Sequence, residues 1–419
     1  MLLLNAVFSV STNLRFLNKE APLAMSIYLN QLGIVCALGN GIDELRQALF
    51  ADAPSGVAPY ACLGKTLHLG VVTSELASQD ALPSKLHSRN NALLLTALAQ
   101  IRPAVDAAIT RFGVARIGVV LGTSTSGIGE AQAAIAQHQA TGQLPAHFHI
   151  AQQELGSPAT ALSTLLGLAG PAMVVSTACS SSAKAMASAA RLLNAGMCDA
   201  VICGGVDSLC DFTVAGFSSL ESISADRCQP MSIHRNGINI GEGAALFLMS
   251  KDLMEESDAV TLLGWGESSD AHHISAPAPD GKGASTAMQA ALHRAGLQAS
   301  DIDYINLHGT ATQQNDAMES LAIYQLFGSH TPCSSSKPLT GHTLGAAGAI
   351  EAAICWLALK TGQLPPHWWD GEIDPAIAPL ALVKPSFKPA RPPRYALSNS
   401  FAFGGSNASL IFGRDHAAH

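Results

Sequence analysis

Charge is scarce in this sequence: Asp, Glu, Lys and Arg make up 13% of 419 residues and aromatics 5%, while 48% are hydrophobic. So apolar a chain buries a large core, as one big domain or two fused ones, and is not disordered. The formal net charge of -8 is spread without long acidic runs; phosphate binding needs a basic face, so nucleic acid is not expected as a partner. The nine cysteines are scattered, odd in number and contain no Cys-x-x-Cys pair, which excludes a disulfide framework or a common zinc site and fits a reducing cytoplasm. Met1 to Val10 is apolar but lacks a basic start, is interrupted by Asn5 and falls short of a membrane span, so no anchor is predicted.

Motifs of other chemistries are also missing. Gly122 to Gly129 is glycine-rich but has neither the Gly-Lys-Ser/Thr of a phosphate loop nor the spacing of a dinucleotide fingerprint, and reads as a loop near a pocket. Gly404-Gly405-Ser406-Asn407-Ala408 ends in Ala and precedes a strand, so it is no hydrolase elbow. His272-His273 lies near Asp270, but adjacent histidines in a strand point to opposite faces and no third ligand follows at a convincing spacing; no metal is predicted.

What is present is a regular alternation. Strand-like runs Arg116 to Gly122, Ala172 to Ser176, Ala200 to Gly204 and Ala244 to Met249 are separated by Ala-rich helical segments. After a polar stretch around Lys251 to Asp258 the rhythm resumes with strand Val260 to Gly264, helix Ala284 to Ala295, strand Tyr304 to Leu307, helix Asp316 to Phe327 and final strands Tyr395 to Phe401 and Ala408 to Phe412. This is the pattern of a layered α/β fold with a sheet buried on both faces. Residues 1–24 are expected to be a dispensable extension, 25–255 and 256–413 two related halves, and 414–419 a tail. Helices Ser182 to Asn194 and Leu344 to Leu359 consist of residues small enough for backbones to approach closely in the middle of a packed structure. Leu364 to Pro393, rich in Pro, reads as a surface excursion.

Cys179 ends the run Val174-Val175-Ser176-Thr177-Ala178-Cys179 and precedes the small-residue stretch Ser180 to Ala190, which places it where a buried strand turns into a helix. Unpaired N–H groups and the positive end of the helix dipole favour thiolate there, and the turn presents sulfur to a substrate. The competing reading is a buried structural cysteine. Three further blocks stand at strand ends in the second half: His308-Gly309-Thr310-Ala311-Thr312, Lys337-Pro338-Leu339-Thr340-Gly341-His342-Thr343, and Asn399-Ser400-Phe401-Ala402-Phe403-Gly404-Gly405.

In this order and spacing the four blocks resemble the β-ketoacyl-acyl-carrier-protein synthases, the thiolase-fold condensing enzymes of fatty acid and polyketide assembly, from about Ser26 to Gly413. The resemblance implies a five-layered α-β-α-β-α fold from two duplicated halves, and decarboxylative Claisen condensation between an acyl group on Cys179 and malonyl on acyl carrier protein. It implies no bound cofactor, since the phosphopantetheine is carried by acyl carrier protein, and a homodimer or a heterodimer with a related subunit. By the same resemblance, backbone N–H groups of Cys179 and Phe401 form the oxyanion hole, Phe401 gates the acyl pocket, and Thr310 and Thr312 hold the pantetheine arm. His308 and His342 suit the second step because neutral imidazoles can donate hydrogen bonds to the enolate oxygen. Lys337 belongs inside the site and needs a partner, for which Glu319 is the expectation; Asp316 and Glu319, three apart on a helix, can face the same side. Carrier proteins are acidic, and Lys85 and Arg89 are the predicted docking cations.

Departures from the family pattern point to a specialised pathway. Ser181 and Ser182 stand where many relatives carry Gly, Gln229-Pro230-Met231-Ser232 replaces Arg-Pro-Phe-Asp, and Phe401-Ala402-Phe403 replaces Phe-Gly-Phe. A chain-length-factor-like subunit typically loses the nucleophile, which is kept here. A biosynthetic thiolase needs a second cysteine near the C-terminus, and none follows Cys355.

Overall fold

The computed structural model describes residues 27–52, 56–254 and 259–414. The expected extension 1–24, the residues at the expected boundary 255/256 and all but the first residue of the expected tail 414–419 lie outside them.

Two copies of one topology follow each other along the chain. The first consists of β1 (Ile27–Cys36), α1 (Arg89–Phe112), β2 (Ile117–Gly122), α2 (Ser157–Leu166), β3 (Ala172–Val175), α3 (Ser181–Asn194), β4 (Ala200–Asp207) and β5 (Gly243–Ser250). The second consists of β6 (Val260–Ser269), α4 (Lys282–Ala295), β7 (Tyr304–Asn306), α5 (Gln313–Phe327), β8 (Pro332–Ser334), α6 (Ala347–Thr361), β9 (Tyr395–Ala402) and β10 (Ser406–Gly413). In the first copy β2 runs parallel to β3 and β4, β4 antiparallel to β5, and β5 antiparallel to β1. The second repeats this pairing for pairing: β7 is parallel to β8 and β9, β9 antiparallel to β10, and β10 antiparallel to β6. A short pairing of Ile27–Leu29 with Val260–Leu262 joins the two sets into one 12-stranded sheet.

Helices α1 and α2 cover the outer face of the first set and α4 that of the second, with α5 packed on α4. Between the sets lie α3 and α6, touching each other and strands of both copies. The layers therefore run helix, sheet, helix, sheet, helix, as in the thiolase-like fold. The central layer is possible because its residues are small: a Cβ on Gly122 of β2 would stand 2.3 Å from the Ser182 nitrogen of α3. β4 and β5 are buried along their whole length, which is why both read as unbroken apolar runs and not as alternating ones.

Local chemistry sets the ends. Ser88 caps α1 by accepting the Asn91 N–H at 3.0 Å, and Thr312 caps α5 by accepting that of Asn315 at 3.3 Å. Among the described residues two helices, Arg89–Phe112 and Leu344–Thr361, are long and apolar enough to cross a membrane, yet the apolar window of the second is 83% buried within the fold. The Pro-rich segment runs largely over the surface, as expected, but its start is anchored in the core. Leu364 and His367 are buried, with His367 Nε2 2.9 Å from the Pro230 carbonyl, and Ala381–Leu382 adds a short strand beside β8.

Candidate active site

The site forms where the C-terminal ends of strands from both copies meet. Between β3 and α3 the chain makes a tight turn in which Ala178 takes φ 51. Ser181 Oγ accepts the Thr177 N–H at 2.9 Å and donates to the Ala178 carbonyl at 2.6 Å, locking that turn and presenting Cys179 just ahead of the helix. The serine in place of the family's Gly therefore works as an internal cap. Its neighbour Ser182 accepts the Ala349 N–H at 2.9 Å and ties α3 to α6.

Three chemical groups converge there. Cys179 Sγ lies 2.9 Å from His342 Nε2, and the His308 ring meets the His342 ring edge-on with centroids 5.4 Å apart. All three are buried. Burial pushes the Cys179 thiol up to about 11, against the opposing pull of the Lys337 ammonium and the Phe403 N–H. The helix-end thiolate expected from the sequence is therefore outweighed in the resting site by loss of water, and the sulfur rests as a thiol. Burial first, then the nearby Lys337, hold both histidines well below the usual imidazole range, so they are neutral at neutral pH. Lys337 Nζ stands 3.4 Å from His308 Nδ1 and donates to the His308 carbonyl. An ammonium at Nδ1 makes that nitrogen the acceptor and leaves the proton on Nε2.

One expectation about the supporting residues needs correction. Lys337 pairs with Glu351 of α6, not with Glu319. Glu319 instead accepts the backbone N–H groups of His308 and Gly309, both at 2.7 Å, because its place on the first turns of α5 lies directly beneath that loop. Glu319 and Glu351 are each pushed up to about 7 by burial. Asp316 is fully buried on the same side of α5 as Glu319 and is no solvated helix-start carboxylate. It accepts the Met231 N–H at 2.8 Å and that of Ala311 at 3.2 Å, fixing the loop that carries Thr310 and the segment that replaces Arg-Pro-Phe-Asp.

The backbone N–H aimed at Cys179 is that of Phe403, not Phe401. Phe401 belongs to β9, opposite Asn407, and its buried ring packs near His308 with centroids 6.2 Å apart. Phe403 lies beyond the strand, in a turn where Gly404 takes φ 80 and Gly405 φ 71, which frees its N–H from the sheet. Its side chain lines openings on both sides of the sulfur. On one side an apolar cavity of about 550 Å³ starts at Cys179 and Ala178 and is walled by Ile128, Phe212, Phe217 and Leu220. On the other a narrow cleft leads out past His308, His342, Thr310 and Thr312, whose hydroxyls are 3.1 Å apart.

Arg89 does not serve as a free cation. Its guanidinium grips the buried Glu242 carboxylate at 2.8 and 2.5 Å, while Lys85 is exposed. The sequence reading missed Asp207. This buried carboxylate at the end of β4 accepts the hydroxyls of Thr123 and Thr125 at 2.7 Å and the Gly345 N–H at 2.5 Å. It joins the glycine-rich loop of the first half to the turn before α6, and a Cβ on Gly345 would approach its oxygen to 2.6 Å. A carboxylate closing an otherwise apolar strand was the signal available for it.

Comparison with known proteins agrees with this geometry. Models of the β-ketoacyl synthase N-terminal and C-terminal domains match residues 92–253 and 259–368. Nodulation protein E of Rhizobium meliloti is 32% identical over 92% of this chain and 98% of its own length. The 3-oxoacyl-[acyl-carrier-protein] synthase 2 of Staphylococcus aureus is 32% identical over 89% and 93%. Among solved structures, a ketosynthase in complex with its chain length factor from Xenorhabdus doucetiae contains a chain 45% identical, with TM-score 0.87, covering 93% of this chain and 98% of that one. A β-ketoacyl synthase from Burkholderia phymatum is 29% identical, with TM-score 0.82, over 93% and 100%.

Proposed function

The chain belongs to the β-ketoacyl synthases, acyltransferases of fatty acid or polyketide assembly, and from that premise we propose the part each side chain takes in the condensation. The observation that carries the assignment is the 2.9 Å contact of Cys179 Sγ with His342 Nε2, with His308 alongside and an apolar cavity opening behind the sulfur.

The pantetheine arm of an acyl carrier protein enters past Thr310 and Thr312. Cys179 sulfur attacks the acyl thioester carbonyl, the bond from that carbonyl to the pantetheine sulfur breaks, and the thiol proton passes to the departing pantetheine thiolate. The tetrahedral oxyanion faces the N–H groups of Cys179 and Phe403. The acyl chain then lies in the cavity. Malonyl on a second carrier loses carbon dioxide, the electrons of the broken bond flow to the thioester oxygen, and His308 and His342 donate hydrogen bonds to that enolate. Its carbon attacks the Cys179 thioester, the bond from the acyl carbon to sulfur breaks, and the sulfur leaves as thiolate and takes up a proton from water.

A specialised elongation with a related partner subunit is the reading we favour. The 45% identical solved chain comes from a ketosynthase–chain length factor complex, and β3 is a free sheet edge with exposed Ala172 and Met173, a surface suited to strand pairing between subunits. A cytoplasmic location accords with nine buried free thiols. The boundary between the halves falls in the polar stretch before β6. A thiolase reading lacks support because Cys179 is the cysteine lining these openings among the described residues.

The test is to incubate the protein with a panel of acyl-carrier-protein thioesters and weigh the Cys179 peptide by mass spectrometry. An acyl adduct on that peptide, discharged by malonyl-carrier protein, is the expected result. An adduct on any other cysteine, or none, rejects the assignment.

A further inference from the structure

The nucleophile belongs to the first half and the Phe403 N–H to the second, so their register depends on what ties the two segments together. The turn that carries Phe403 is soft: Gly404 and Gly405 take φ 80 and 71, and a Cβ on Gly404 would meet nothing within 4 Å. Its own backbone bonds run to the loop after β6, with the Gly404 N–H on the Ile274 carbonyl and the Asp270 N–H on the Gly405 carbonyl, both at 2.8 Å. Besides the Phe403 N–H itself, its polar contacts with the first half run, among the described residues, through Ser406. We propose that Lys184 is a positioning residue for acyl transfer, which by donating to Ser406 holds the Phe403 turn to the helix that bears Cys179.

Lys184 lies one turn beyond Ser180 on α3, its N–H on the Ser180 carbonyl at 3.0 Å, and its ammonium donates to Ser406 Oγ at 2.6 Å. Ser180 directly follows the nucleophile. Its Oγ stands 3.3 Å from the same Ser406 hydroxyl and donates to the Thr177 carbonyl at 2.9 Å. A short run of polar side chains thus joins Thr177 and Ser180, which bracket Cys179, to the residue that closes the turn of Phe403.

Stability gives no reason for a cation at this place. Lys184 is half-buried, and burial pulls its ammonium below the usual lysine range against the attraction of Glu267. Glu267 is itself gripped by Arg191 at 3.2 and 3.1 Å, and among the described residues no carboxylate forms an ion pair with Lys184. A partly desolvated charge answered by a hydroxyl costs folding energy. A charged donor also makes a shorter and stronger bond than a neutral one, so what that cost secures is a firmly held turn.

This inference rests on the acyl transfer proposed above, and its experiment is single-turnover acylation of Cys179 by an acyl-carrier-protein thioester, followed by peptide mass. In Lys184→Met, which keeps the apolar stem and drops the ammonium, the saturating rate should fall by up to about 100-fold, the scale of a misplacement of about 1 Å. The thioester concentration at half-saturation should not change, and neither should the denaturant midpoint fall. Ser406→Ala should lose as much, and the double variant no more than either alone. An unchanged rate in Lys184→Met, or losses that add in the double variant, overturns the inference and leaves the acyl-transfer reading standing. A lower midpoint with half-saturation rising alongside the loss of rate marks a merely structural lysine and overturns it too. An unmutated chain that never acylates Cys179 overturns both readings.

Discussion

The two halves share one strand order and one helix order, yet their equivalent loops carry different work. After β2 the first half places Thr123 and Thr125, clamped by Asp207; after β7 the second places His308, Thr310 and Thr312. Between β3 and α3 the first half turns in a few residues and presents Cys179 to the openings on either side, whereas between β8 and α6 the second inserts the short helix Lys337–Thr340 and then His342. At the end of β4 stands the structural carboxylate Asp207, and at the end of β9 the turn that aims the Phe403 N–H. The scaffold converges strand ends on one point from both sides, and divergence of the loops makes one side the nucleophile's and the other the carbanion's.

The comparison breaks most sharply if its two sides are removed separately. Cys179→Ala should abolish acyl loading entirely while leaving malonyl decarboxylation measurable. His308→Ala or His342→Ala should lower decarboxylation by about 10²–10³ for the lost donor, with Cys179 still acylated. Radiolabelled carbon dioxide release and peptide mass read the two separately, and normal decarboxylation in both histidine variants would refute the division.

Next in size is the ion pair beneath the second half. Glu351→Ala strands a buried ammonium, and breaking such a pair costs roughly 3–5 kcal/mol, visible as a lower denaturant midpoint. Glu319→Ala should not strand Lys337, and an equal or greater loss there would restore Glu319 as its partner.

A pH series sharpens the contrast further. With Cys179 pushed up to about 11, iodoacetamide alkylation of the free enzyme should keep accelerating from pH 7 toward 10. A plateau near pH 7 would mean the helix end wins over burial after all. Both imidazoles are depressed, so they stay neutral as pH falls through 6.5, and decarboxylation should show no acid limb there. The smallest effect expected is that of Lys85→Glu: a modest rise in KM for the carrier protein, with shallower salt dependence and unchanged kcat. No change in that dependence removes Lys85 from the docking surface.

Much of this was legible in the chain. The Val- and Ala-rich runs gave β2, β4 and β5 away because those strands are buried along their whole length, and the bounds expected for Ala172 to Ser176 and Ser182 to Asn194 differ from the observed ones by a residue. Cys179, His308 and His342 stood out because reactive residue types followed strand ends. The partner of Lys337 did not, although Glu351 was detectable as a lone carboxylate in the apolar helix Ala347–Thr361. Phe403 was passed over for Phe401 because two phenylalanines flank Ala402, and only the end of β9 distinguishes a ring in the core from an N–H free of the sheet. Arg89 looked like a surface cation because Glu242 lies far along the chain.

The amino-acid sequence by itself determined the kinds of element, their repeated order and the inventory of thiol, imidazole and ammonium, since hydrophobic period and residue type are local properties. Which carboxylate faces Lys337, which N–H faces the sulfur, and that the thiol and both imidazoles rest uncharged were decided only in the tertiary structure. Each depends on contacts between distant segments and on the exclusion of water, and neither exists until the two halves close on each other.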